Sequence, residues 1–535
     1  MATDSSMRRS ANAPAAVREA GICGRERELC TIMSDDQVAV ADQRNAPILS
    51  AVLAQVRRER VSGHTPGHKR GVGLDPEFAH HAWPLARLDA TETMDLDDLY
   101  DPRSCIREAQ ALAARAFGAQ RTHLLVGGST VGVMVAVLAA ATADRSLIVD
   151  RGAHQCAWNG ANMARVRTIA VRPVVVGGDR WPVAGPVSAK QVEDALAAAG
   201  DAAAVVITSP TYHGFCADVK AIAGVCHRAG AVLIVDEAHG AHLHFHPRLP
   251  TSAVDAGADL VVQSAHKMVG GFTQSAWLHE CSDRVCADRV REWLRVLQSS
   301  SPSWLLLASL DAARRQLATE GEALLQAALQ RLEAGVTALE QTCPGALADD
   351  RTWPRERLDP CRWRLCAEPF GCSGDELATC LWRDFGISCE LWDERGVLLL
   401  FSHATSARDV DHVVAACQSL FAQSDSGKQI VRDERGTEGG QSPPFAVGVP
   451  ACTEIDLRLS LTGASERLAI ERCAGRRSAR AIITYPPGIP VVLPGEKLTP
   501  QMCAWIRSRA EAGEAVHGVW ADRTLEVIGG DGEVR

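Results

Sequence analysis

Between residues 122 and 267, short apolar runs alternate with stretches whose apolar residues recur at helical spacing, and this alternation constrains the fold more than any other feature. Segments 122–126, 146–150, 204–208, 231–235 and 258–263 have the length and the Val, Leu, Ile and Ala content of buried strands. Segments 130–142, 154–163 and 218–230 read as helices, the last with Asp218 as a fitting N-cap and Gly230 as a stop. Such alternation predicts an α/β fold, a mostly parallel sheet with helices on both faces. In sheets of this kind a ligand sits beyond the carboxyl ends of the strands. The residues that end these runs are therefore the ones that matter for chemistry.

One run, Ala231-Val232-Leu233-Ile234-Val235, ends in Asp236-Glu237-Ala238-His239, and the next leads into Ser264-Ala265-His266-Lys267. A lysine at the end of one strand, after an aspartate at the end of another, suggests a pyridoxal phosphate site. The lysine would hold the aldehyde as a Schiff base, and the aspartate would keep the pyridine nitrogen protonated. Desolvation at a sheet edge lowers a lysine's pKa and makes it a competent amine. Gly127-Gly128-Ser129-Thr130 lies between a strand and a helix, where free amides and hydroxyls suit an anion, although plain turns also favour Gly and Ser. His154, early in the next helix, can stack on an aromatic ring or be an ordinary half-exposed histidine. A carboxylate at Asp236 is costly unless paired; a pyridinium, an N-cap, a salt bridge or a metal would each serve. On a strand, His242, His244 and His246 would share one face. No cysteine or carboxylate set accompanies them, so no metal is expected.

The net charge of -9 argues against a general nucleic-acid binder. No run of 18 uncharged apolar residues occurs, so no membrane span is expected. None of the 18 cysteines forms a CxxC pair, and Cys281/Cys286 and Cys361/Cys366 lack a matching second half. Reduced thiols and a cytoplasmic location are the expectation. Residues 1–43 are polar and unpatterned and read as a disordered extension. The expected organisation is a large domain over 44–320, a small α+β domain over 321–423, a linker over 424–446 and a C-terminal α+β domain over 447–535.

Taken together the chain resembles the ornithine/lysine/arginine decarboxylases, pyridoxal phosphate enzymes of fold type I, which implies a large domain with a mostly parallel seven-stranded-type sheet, and among them the short bacterial arginine decarboxylase-like members. The resemblance rests on Thr65-Pro66-Gly67-His68-Lys69, Asp97-Asp98-Leu99, Pro210-Thr211-Tyr212, Asp236-Glu237-Ala238-His239-Gly240, Ser264-Ala265-His266-Lys267, the stretch 305–311 (LLLASLD), Tyr485-Pro486-Pro487-Gly488-Ile489-Pro490 and Pro494-Gly495-Glu496. It implies that Lys267 carries the cofactor, Asp236 partners the ring nitrogen, His239 lies near the ring and His154 stacks on it. It implies phosphate ligands at Ser129, Thr130, Ser264 and His266. Ser300, within Ser299-Ser300-Ser301, would reach a neighbouring subunit's cofactor, so a homodimer is the smallest expected assembly. Glu454 and Glu496 would lie near the substrate end.

The implied reaction is α-decarboxylation of a basic amino acid, arginine before lysine or ornithine, giving a polyamine or its precursor. The family's phosphate turn usually reads Gly-Thr-Ser, where this chain has Gly128-Ser129-Thr130. Gln155 stands where a lysine is common, and Trp304 where a tyrosine is usual. Met268 to Leu278 contains no arginine, which disfavours an aminotransferase, while Arg408 leaves a carboxylate anchor open. Another lyase, cyclase or aminotransferase on this scaffold, a non-catalytic regulatory homologue, or a metalloprotein built on the histidine tract are the alternatives.

Overall fold

An eight-stranded, mostly parallel sheet forms the centre of the computed structural model. The structure describes residues 42–529 apart from Met94, Arg351, 426–450, 458–463, 485–487, Ala512 and Glu514. Nearly all of the expected N-terminal extension, most of the expected linker and the Tyr485-Pro486-Pro487 motif fall outside the described residues.

Three helices, α1 (Pro47–Arg58), α2 (Pro76–Ala86) and α3 (Cys105–Phe117), come first. Gly118 ends α3 at φ 74°, a left-handed position suited to glycine, and its amide closes onto Ala114 and Arg115. The alternating region follows as β1 (Arg121–Leu125), α4 (Gly128–Ala140), β2 (Ser146–Asp150), α5 (Gln155–Ala164), β3 (Thr168–Val171), the hairpin β4 (Val175–Val176) and β5 (Val183–Ala184), then α6 (Ala189–Ala199) and β6 (Ala202–Thr208). It continues with α7 (Val219–Arg228), β7 (Val232–Asp236), β8 (Leu260–Ser264), the single turn α8 (Ala265–Met268), β9 (Ala276–Glu280) and α9 (Ala287–Leu297). Strands β8, β7, β6, β2 and β3 run parallel; β9 pairs antiparallel with both β1 and β8.

Both sheet faces are covered, which is why the strands read as continuous apolar runs rather than alternating ones. Val232, Ile234, Leu260 and Val262 pack with α4, while Leu233, Val235, Val261 and Ile207 pack with α6 and α7. Asp218 caps α7 by accepting the Ala221 amide.

Helix α10 (Trp304–Thr342) is 39 residues long, roughly 58 Å at 1.5 Å per residue. It leads to a three-stranded antiparallel sheet of β10 (Arg362–Cys366), β11 (Leu391–Asp393) and β12 (Gly396–Leu400), accompanied by α11 (Gly374–Phe385) and α12 (Ala407–Asp425). Strand β13 (Cys452–Ile455) returns to the main sheet and pairs antiparallel with β3. The remaining elements are β14 (Ser465–Ala469), β15 (Ile482–Thr484), β16 (Pro490–Val492), α13 (Pro500–Glu511), β17 (Val516–His517) and β18 (Thr524–Ile528), packed around Ile482, Val492, Met502, Ile506 and Leu525.

Candidate active site

The carboxyl ends of the parallel strands converge on one cavity of about 690 Å³. Asp150 ends β2, Thr208 ends β6 and Asp236 ends β7, and all three line it. Also in its wall are Gly127, Gly128, Ser129 and Thr130 from the start of α4, His154 at the N-cap of α5, and His239, His266 and Lys267. Most of the residues expected from the sequence thus meet in one place.

Lys267 Nζ lies 3.1 Å from His239 Nε2 at this cavity wall. Burial depresses the lysine's pKa below its ordinary value, and the opposing pull of Asp236 only partly restores it. His239 is buried; burial, reinforced by Lys267 and Arg362, holds its pKa well below that of a free imidazole, so the ring is neutral. Its Nδ1 is buried without a hydrogen-bond partner. The Tyr212 ring meets His239 edge-on at 4.8 Å. Asp236 is 4% exposed, and its Oδ1 accepts the Ala238 amide at 3.1 Å. Glu237 points away from the cavity and accepts the Ala253 amide and Gln263 Nε2, both at 2.7 Å. A Cβ on Gly240 would collide with Glu237, so this tight strand exit admits only glycine there.

His154 Nδ1 caps α5 by accepting the Cys156 amide, and burial lowers its pKa against the pull of Asp236. His266 donates through Nδ1 to the Ser275 carbonyl at 3.2 Å. Ser264 Oγ donates to Ser129 Oγ at 3.0 Å, which ties the lysine segment to the start of α4.

These features fit an anionic aldehyde cofactor of the pyridoxal phosphate type. Gly128 sits at φ 75°, and a Cβ on Gly127 would stand 2.5 Å from Val131 Cγ2, so both glycines keep the amides at the head of α4 open. The Thr208 hydroxyl, also in the cavity wall, is buried without a partner. A buried amine of lowered pKa, a strand-end carboxylate and a helix N-terminus are the set that an aldehyde, a pyridinium and a phosphate require.

Several residues or segments singled out in the sequence lie outside this cavity. Glu496 is buried, but its Oε2 accepts Arg151 Nη2 at 2.9 Å and the Leu493 amide at 2.7 Å, and it does not line the cavity. Glu454 is exposed on β13 and paired with Arg167 Nε at 2.9 Å, also outside the cavity. Glu454→Gln is expected to change stability by no more than about 0.5 kcal/mol, because exposed pairs contribute little; a melting curve checks this. The histidine tract does not form a strand: Leu243–Phe245 is a tight helical turn, and His242, His244 and His246 go separately to Asp359, Asp255 and Gln326. Arg408 is exposed on α12, away from the cavity. Ser300 lies on the exposed segment between α9 and α10 and does not line this chain's own cavity.

Other wall residues carried no signal in the sequence. Gln274 holds φ 83° through a hydrogen bond from its Nε2 to the Val126 carbonyl at 2.7 Å. Asp375, Trp392 and Glu394 come from the small domain, and Thr484, Val491, Trp505 and Arg509 from the C-terminal domain. Every cysteine among the described residues is a free thiol, and no helix among them is long and apolar enough to cross a membrane.

The chain matches the Orn/Lys/Arg decarboxylase major domain over residues 46–343 and the C-terminal domain of the same family over 457–522. It is 32% identical over 502 residues to an arginine decarboxylase of Bacillus anthracis, covering 91% of this chain and 97% of that protein. It is 34% identical over 500 residues to an arginine decarboxylase of Halalkalibacterium halodurans, covering 91% and 98%. The solved lysine decarboxylase A from Pseudomonas aeruginosa superposes with a TM-score of 0.75 at 19% identity, over 90% of this chain and 80% of that one. The constitutive lysine decarboxylase of E. coli gives 0.74 at 19%, over 92% and 83%, so the fold is shared where sequence has diverged. Strand-end chemistry, fold and family matches agree: the chain belongs to the Orn/Lys/Arg decarboxylase family and is a basic amino-acid decarboxylase of fold type I.

Proposed function

We propose that the protein decarboxylates arginine at Cα, with pyridoxal phosphate carried on Lys267. The observation that carries this reading is the buried amine of Lys267, its pKa lowered, 3.1 Å from His239 Nε2 in a cavity that Asp236 also lines. Ser129, Thr130, Ser264 and His266 would hold the phosphate, Asp236 the ring nitrogen, and His154 the ring face. When bound, the cofactor supplies an electron sink for the pair left behind as carbon dioxide departs.

The chain's own residues do the rest. Asp236, 4% exposed, presents its carboxyl group where water is excluded and electrostatics count most. Lys267 Nζ and His239 Nε2, 3.1 Å apart, are placed to hold one proton between them and to return it to the reacting carbon. The small-domain wall offers Asp375 and Glu394 to a guanidinium and the half-exposed ring of Trp392 for it to stack on. Arginine is favoured because full-length relatives carry that name. Ser300, absent from its own cavity, is read as reaching a partner's, which makes the active unit a homodimer or larger. Buried reduced thiols support a cytoplasmic location.

A panel of arginine, lysine and ornithine with purified protein and pyridoxal phosphate tests the reading. The expected result is carbon dioxide release fastest from arginine, with a product lighter by exactly that mass. A product of unchanged carbon count overturns it.

A further inference from the structure

Arg362 is a buried cation that the steps above leave unused. It opens β10 in the small domain, its side chain is 1% exposed, and it does not line the cavity. Its Nη1 pairs with Asp359. Its Nη2 donates to the His239 carbonyl at 3.2 Å and lies 3.9 Å from Met268 Sδ. It therefore touches the residue whose imidazole meets Lys267 and the residue that follows Lys267. Asp359 is fully buried, lies 3.2 Å from His242 Nε2 and accepts the Cys361 amide at 3.0 Å. Burial works against its charge, but His242 and Arg362 more than offset this and hold its carboxyl below the usual range. A Cβ on Gly214 would stand 2.8 Å from Arg362 Cδ, so the glycine keeps open the path of the arginine stem. The Gly214 carbonyl in turn accepts the Asp359 amide at 2.9 Å.

His242, Asp359 and Cys361 bring their ligand atoms within 4.8 Å of one another. That grouping resembles a metal site, but the guanidinium already on Asp359 would repel a second cation in this desolvated setting.

We propose that Arg362, anchored by Asp359, is a positioning residue that fixes the His239–Lys267 pair from the small-domain side. The proposal rests on the reading of Lys267 and His239 given above. Two effects act together: the hydrogen bond pins the His239 peptide, and the buried positive charge disfavours protonation of both neighbours. The groups acting on Lys267 are Asp236, Cys156 and Glu390, which favour its protonation, and Arg362, which opposes it. Those acting on His239 are Lys267, Arg362, His154 and His266, all opposing protonation. Among these, Arg362 carries a permanent charge, so its contribution persists across the working pH range.

The test uses the full-length protein as Arg362→Met/Asp359→Asn, which removes both charges together, and as Arg362→Lys. The first readout is the pH midpoint of Lys267 acetylation in cofactor-free protein, followed by mass spectrometry. In the double variant the midpoint is expected to rise above that of the wild type. In the loaded enzyme kcat is expected to fall about tenfold or more with KM little changed, as for a misplaced reacting group. Arg362→Lys should restore the midpoint but not kcat, because one ammonium cannot serve both Asp359 and the His239 carbonyl. A double variant with wild-type midpoint and wild-type kcat overturns the proposal. If the double variant does not fold, Arg362→Lys decides alone, and wild-type kcat there overturns it. Failure of borohydride to label Lys267 in wild-type holoprotein would instead sink the reading of the site itself.

Discussion

Replacing Lys267 with alanine is expected to lower kcat by at least about a thousandfold, with the fold intact. The lysine ends a fully buried strand on a single helical turn, α8, whose other residues already hold the segment in place. Ser264 bonds to Ser129, His266 to the Ser275 carbonyl, and Met268 is buried. Loss of the amine therefore removes chemistry while leaving the architecture standing. Two measurements separate these effects: a melting curve close to wild type, and loss of the borohydride-fixed adduct from the peptide containing residue 267. Because burial lowers the amine's pKa, condensation of the cofactor-free protein with an aldehyde should rise with pH around a midpoint below the ordinary lysine value of 10.5. A midpoint at or above that value, or an adduct on another lysine, would count against this site.

The second large effect is on stability. Arg151 is 1% exposed and donates to the carbonyls of Pro490 at 2.7 Å and Val491 at 2.8 Å, and to Glu496 Oε2 at 2.9 Å. It follows β2 directly, so this pair fastens the C-terminal domain to the carboxyl edge of the main sheet. Glu496→Ala removes the carboxylate that accepts from this desolvated guanidinium, a change that costs about 3–5 kcal/mol. Removing both members, as Arg151→Met/Glu496→Leu, should recover most of that loss, because well-packed apolar replacements of buried pairs are often neutral. Calorimetry on the three variants checks the ordering. It also separates this role from substrate binding: a Glu496 that met the substrate's cation would raise KM in Glu496→Gln without lowering the melting temperature.

The large-domain fold and much of the site can be read from the chain because they arise from local pattern. Apolar runs buried on both faces mark the strands, and the polar residue that breaks each run, Asp150, Asp236 or Ser264, marks the end where a ligand sits. Gly127-Gly128 before an apolar helix and Lys267 after Ser264 follow from the same logic. The substrate side is different. Glu496 and Glu454 look available in the sequence, but in the structure they are paired with Arg151, 345 residues away, and Arg167, 287 residues away. Arg362 has no local signature either, since its importance comes from a contact with His239 across 123 positions. The histidine tract misleads because period-two spacing carries meaning only on a strand, and here the backbone turns.

Strand β13 has a consequence for how the molecule is made. It covers the rim of the sheet from Thr168 to Val171 with residues that come some 280 positions later, Cys452 pairing with Val171 and Ile455 with Thr168. Until those residues leave the ribosome, the amides and carbonyls of that rim are open to any neighbouring strand. Synthesis is vectorial, so the amino-terminal portion must wait, sticky along one border, for its hem. Premature termination anywhere before residue 452 would produce a chain inclined to clump with its own kind.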